Sequence, residues 1–123
     1  MGTLVSSGSS LNMPTGSGSE RLRRLTYHNN NASTIEILSG TAGHIYTIIS
    51  IIFCSVSNSV GTIDIKVNDG SNDVFVVRAQ THSGYESFVF NERIVLEEDD
   101  DLDVYNSVAD GDWYVSYIDQ DWT

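Results

Sequence analysis

A chain of 123 residues has room for one domain with one core, and its six lysines and arginines stand against 17 aspartates and glutamates, a formal net charge of -11. Such a surface repels phosphate backbones and anionic lipid, which argues against nucleic acid or an acidic membrane as a ligand of the folded part. Cys54 is the only cysteine, so neither an intramolecular disulfide nor a cysteine zinc site can form, and the core must rest on packing.

The chain opens with MGTLVSSGSSLNMPTGSGSE, which carries most of the Ser/Gly density and the only proline, Pro14. It cannot bury enough apolar surface to order by itself. Leu4, Val5, Leu11 and Met13 would be wasted in a pure spacer, so we expect an arm that orders against a partner. Charge sets the same boundary: residues 1–24 hold Arg21, Arg23 and Arg24 against Glu20 alone, whereas residues 25–123 hold three cations and sixteen acids. The expected organisation is a flexible arm over 1–24 and a β-sandwich domain over 25–123. Leu4, Val5, Leu11, Arg21, Arg23 and Arg24 are its partner-binding residues, docking on the acidic face of a neighbouring copy or of another protein.

After the arm, short apolar runs alternate with turn signals about every ten residues, the pattern of an antiparallel all-β sandwich. Leu25 to Tyr27 is a weak first strand, stopped by the turn at Asn29, Asn30 and Asn31. Thr34 to Leu38 follows. His44 to Val56 is long, β-branched and poor in helix formers, and is expected at the centre of a sheet. Its alternation fades after Thr47, which fits a strand covered on both sides or bent by a bulge. Thr62 to Asn68 alternates cleanly, with Ile63, Ile65 and Val67 inward. Asp69, Gly70, Ser71 and Asn72 form a hairpin turn into Val74 to Arg78. Tyr85 to Phe90, Ile94 to Leu96, Leu102 to Tyr105 and Trp113 to Ile118 complete the set. Eight or nine such strands with no helical period predict a jelly-roll-like antiparallel sandwich.

No run approaches the roughly 18 apolar residues of a membrane span, and the N-terminus lacks a basic region followed by an apolar stretch. The expectation is a protein made and folded in a reducing cytoplasm. Candidate chemistry is sparse. The run Glu97, Glu98, Asp99, Asp100, Asp101 with Asp103 offers carboxylates to calcium, yet lacks the interleaved Gly or Asn that wraps a chain around the ion. It reads as a solvated turn that blunts a sheet edge. Adjacent exposed acids also lack the spacing and burial of a glycosidase pair. His28, His44 and His82 share no metal-ligand spacing, and Cys54, inside IIFCSV, reads as a small buried apolar residue. No GxSxG elbow or phosphate-cradling glycine loop is present. We therefore expect no catalytic residues, no metal and no cofactor. Trp113, Val115 and Tyr117 share an inward face. That leaves Tyr114 and Trp122 as candidates for an outer contact with protein, or for stacking a sugar.

Three stretches carry a resemblance: GHIYTIISIIFCSVSNSVGTIDIKVNDG, FVFNERIVLEEDDDLDVYNS and DWYVSYIDQDW. Together they resemble the small β-sandwich virion proteins of tailed bacteriophages, especially marine ones, over roughly Thr34 to Trp122. Ser55 and Val56 follow Cys54 where that pattern has Asn and Thr. The resemblance implies a non-enzymatic structural subunit: a capsid decoration or cement protein that binds the major capsid protein, at the capsid surface and as a homotrimer. A head-tail or tail-attached component and a carbohydrate-binding module are the alternatives. A disulfide-free acidic sandwich with an arm suits a cement that stays dispersed until it meets repeated sites on a finished shell.

Overall fold

The computed structural model describes residues 18–123, so Leu4, Val5 and Leu11 lie outside the described residues. Among the described residues there are nine strands: β1 Ser19–Asn29, β2 Thr34–Ser39, β3 His44–Ser55, β4 Gly61–Asn68, β5 Asp73–His82, β6 Ser87–Phe90, β7 Ile94–Leu96, β8 Asp101–Asn106 and β9 Gly111–Asp121. One antiparallel sheet runs β1-β9-β3, with both β6 and β7 on the far edge of β3; the other runs β2-β8-β4-β5. Pairing β1 with β9, β2 with β8, β3 with β6 and β7, and β4 with β5 describes one long hairpin whose tip is the 69–72 turn. It is rolled so that successive pairs alternate between two sheets. This is jelly-roll topology, as the strand spacing predicts.

The tip is held by the chemistry expected of it. Asp69 accepts hydrogen bonds from the amides of Ser71 (3.0 Å) and Asn72 (2.8 Å), and Gly70 takes a φ of 95°, open to glycine without a Cβ clash. Those amides favour the charged form of Asp69 and lower its pKa.

Fading alternation in β3 has a physical cause. Its register with β9 slips between Ile48 and Ser50, a bulge at Ile49, and the break between β6 and β7 falls opposite on the other edge. Arg93 in that break donates to the carbonyls of Ile49 (3.2 Å) and Asn91 (3.1 Å), so a side chain replaces the missing ladder. β6 and β7 are thus one strand position interrupted by the bulge it faces.

Cross-strand rows build the core, because residues directly opposite in an antiparallel pair share a face. Tyr27, Trp113, Phe53 and Phe88 form one row across the first sheet, and Leu25, Val115, Ile51 and Phe90 the next. The second sheet answers with Ile35, Val104, Ile65 and Val77, then Leu38, Leu102 and Val67, a row that ends on the exposed Val74. Trp113 and Phe53 lie 4.8 Å apart between ring centroids, and both are buried. Beside them Gly111 leaves the Phe53 ring no room for a Cβ at that position.

One expected boundary is corrected. β1 begins at Ser19 and pairs with β9 without interruption through Asn29, so Arg21, Arg23 and Arg24 belong to the sandwich and not to an arm ending at residue 24. Charged residues mask an edge strand. Its pairing is made by backbone groups, and one open flank removes the need for alternating apolar side chains.

Candidate interaction surface

The two outer faces of the sandwich differ sharply in chemistry. On the β2-β8-β4-β5 face, Glu36, Asp103, Lys66 and Phe75 form one row, and Ser39, Asp101, Asn68 and Asp73 another. Lys66 Nζ sits 3.0 Å from Asp73 Oδ2 and 5.5 Å from the centre of the Phe75 ring, which Arg78 also covers at 4.2 Å. Acids still predominate. Repulsion from Asp101 is the main cause of a raised pKa at Glu36, and burial is the main cause at Asp103, opposed by Lys66 and reinforced by Asp101 and Asp73.

That crowding has a measurable cost. An acid whose pKa is raised by folding contributes stability only below its unfolded pKa, and loses it as pH rises through the folded value. At neutral pH, Asp103 therefore opposes folding. Asp103→Asn is expected to stabilise the sandwich by about 0.5 kcal/mol at pH 7, a small figure because the group is mostly solvated. Urea melts should show the gain shrinking to nothing as pH falls below the unfolded value of about 3.9. A variant less stable than the parent at pH 7 would contradict this account of the face.

The outer face of the β1-β9-β3-β6/β7 sheet is apolar and close to neutral. Thr26, Tyr114, Ile52 and Val89 make one row across four strands, and Leu22, Ile118, Thr47 and Val95 make a second. Arg24, Ser116 and Ser50 lie between them, and His28, Asp112, Cys54 and Ser87 close the stripe on one side. Leu22 is 72 % exposed, Val89 49 %, Val95 48 % and Tyr114 41 %. Tyr114 borders two shallow grooves. One of about 390 Å³ is lined by Thr26, His28, Ile52, Cys54 and Asp112, and the other, of about 260 Å³, by Leu22, Arg24 and Ser116. His28 Nδ1 is hydrogen-bonded to Asp112 Oδ1 at 2.6 Å on the rim of the larger groove.

The predicted site residues divide accordingly. Tyr114 lies on this face, and Arg24 lies in its middle. Arg23 points to the other side of β1, where its Nε donates to Asp119 Oδ2 at 3.1 Å. Asp119 is buried and also meets His44 Nδ1 at 2.7 Å, so Arg23 is engaged within its own domain. Arg21 is exposed on the same side as Arg23. Trp122 is half-buried, its ring lying against Gly18, where an added Cβ would meet it at 2.6 Å; it fills space where the chain enters β1. Cys54 corrects the sequence reading. It is half-buried on the outer face, because in β3 the inward positions are those of Ile51, Phe53 and Ser55. The run from Glu97 is a tight turn between β7 and β8, closed by Asp100 N donating to Glu97 O at 3.0 Å and packed against Gly40. Among the described residues, no three of His, Cys, Asp and Glu converge on a common metal position.

Sequence reasoning named Tyr114 but not Leu22, Ile52, Val89 and Val95. Their signal lay in β3, which reads as apolar on both sides, together with the unexplained outward valines of β6 and β7.

No family model matches the chain, and no curated protein matches it in sequence. Solved structures do resemble it. A subunit from Bacillus endospore appendages, described as a family of disulfide-linked pili, superposes with a TM-score of 0.54 at 14% identity, covering 93% of this chain and 99% of that one. A pentameric capsid protein from metagenomic phage sequences gives 0.45 at 15% identity, over 80% and 61% of the two chains. A chain of infectious bursal disease virus, Gx strain, gives 0.47 at 9% identity, over 85% and 37%. At these identities the first likeness is one of fold.

Proposed function

We propose that the chain is a non-enzymatic structural subunit of a tailed-phage particle, a capsid decoration protein that binds the major capsid protein and stabilises the shell. The observation that carries this reading is the apolar, nearly neutral outer face of the β1-β9-β3-β6/β7 sheet on a body of net charge -11. Contiguous exposed apolar surface of this kind marks a contact with another protein. The acidic remainder keeps copies from associating through their other faces. Support of a looser kind comes from the endospore appendages, in which a sandwich of comparable fold builds pili. Residues 1–17 and the exposed Arg21 and Arg24 are the further attachment points in this reading.

Co-sedimentation with expanded capsids and with tails of the encoding phage tests it. The full chain is expected to saturate capsids at a fixed ratio and to ignore tails; binding to tails alone would move the protein to the neck or tail. A carbohydrate-binding role has one observation in its favour, the exposed Tyr114 ring beside a groove with a polar His28–Asp112 rim. A glycan array with no hits would remove it.

A further inference from the structure

We infer that the outer face of the β1-β9-β3-β6/β7 sheet docks on the same face of a second copy, with Tyr114 of each seated in the groove that Cys54 and Ile52 line on the other. The inference rests on the reading of this face as a protein contact and names its occupant in the free protein, which the capsid then displaces.

Charge selects a second copy of this chain. Any two copies carry -11 each and repel at long range. Apposing the β2-β8-β4-β5 faces would bring Glu36, Asp64, Asp73, Asp101 and Asp103 against their own duplicates, with only Lys66 and Arg78 to offset them. Among the described residues the opposite face carries Glu20, Arg24, the His28–Asp112 pair and, in the β6/β7 break at its edge, Arg93, so of the two broad faces it is the one that can meet itself without concentrating acid.

Size and relief agree. Four strands about 4.8 Å apart, each contributing about eight residues at roughly 3.3 Å, present roughly 500 Å² in plan. With side-chain relief that approaches the roughly 800 Å² per partner of a standard interface. A knob beside a groove on one surface is what a two-fold contact requires, since residue i then meets j while j meets i. Tyr114 with its neighbouring groove of about 390 Å³ supplies both. A three-fold arrangement cannot use a self-complementary patch in this way, so the expected particle is a dimer rather than the trimer that the phage resemblance implies.

Sedimentation velocity of the full chain tests the inference. Across the micromolar range the mass is expected to move from 13.5 kDa to twice that value, and the dimer fraction to rise from low to physiological salt as the mutual repulsion is screened. Thiol modification of Cys54 by a disulfide reagent is expected to slow several-fold over the same concentration range. Tyr114→Glu should restore monomer and full Cys54 reactivity and melt with the parent at concentrations where the parent is monomeric, whereas Glu36→Lys on the opposite face should leave the dimer intact. A monomer at every concentration, a trimer, or a dimer indifferent to Tyr114→Glu would overturn the inference. So would a chain lacking residues 1–17 whose monomer reacts faster at Cys54, because that segment would then be the occupant. If the chain stays monomeric while Tyr114→Glu abolishes capsid binding, self-docking fails and the contact face stands. If neither assay responds to Tyr114→Glu, both fail.

Discussion

Trp113→Ala is expected to lower the free energy of unfolding by about 4 kcal/mol, a large part of the roughly 5–15 kcal/mol that holds a domain of this size. Trp113 is 2 % exposed and occupies the middle of a row that links β1, β9, β3 and β6 through Tyr27, Phe53 and Phe88. Its removal takes from the Phe53 ring one of its two ring partners, leaving His82, and opens a cavity that rigid sheet backbones cannot close. The neighbouring residue is the control. Tyr114, one position along β9, points to the opposite side, so Tyr114→Ala should cost less than about 1 kcal/mol in the same urea melt. Equal losses for the two variants would mean that the inward and outward faces of β9 are wrongly assigned.

The second expected result concerns where the domain starts. Removing residues 1–17 leaves every described strand whole, and the shortened chain is expected to melt with the full one. Removing residues 1–24 is different in kind. It takes six of the eleven register partners from the β1–β9 pair, Ser19 to Arg24, and strips Arg23 from the buried Asp119 carboxylate. The Arg23 side chain is 44 % exposed and only Asp119 is buried, with His44 remaining beside that carboxylate, so losing this charge-assisted hydrogen bond is expected to cost about 1.5 kcal/mol, with the lost pairing in addition. Thermal melts of the two truncations decide the matter. If the 1–24 deletion melts with the parent, β1 contributes nothing to the sandwich before Leu25.

These two results also show what the sequence made legible. Trp113, Val115 and Tyr117 were readable as an inward set because period-two alternation survives wherever one side of a strand meets a core. The limits of β4 and β7, and the 69–72 hairpin, followed from the same alternation and from turn chemistry that acts within a few residues. β1 was hidden for the converse reason. An edge strand is paired by its backbone, and Glu20, Arg21, Arg23 and Arg24 carry the charge that ordinarily marks a solvated segment. Cys54 was misread, and Ile52 passed over, because β3 is apolar on both sides, so its composition cannot say which side is covered. The contact face itself was half visible: Tyr114 was picked out by its alternation with Trp113, but Val89, Val95 and Leu22 join it only through register between strands distant in sequence.

Hydroxyl-radical footprinting of the free protein, kept dilute enough to be monomeric, and of the protein in its assembled particle tests the central claim most directly, because exposed aromatic and aliphatic side chains report burial one by one. Leu22, Val89, Val95 and Tyr114 are expected to lose modification on assembly, while Val60, 72 % exposed, and Phe75, 38 % exposed on the opposite outer face, keep it. Protection of Val60 and Phe75 with Tyr114 unchanged would contradict the claim that the outer face of the β1-β9-β3-β6/β7 sheet is where this protein meets its partner.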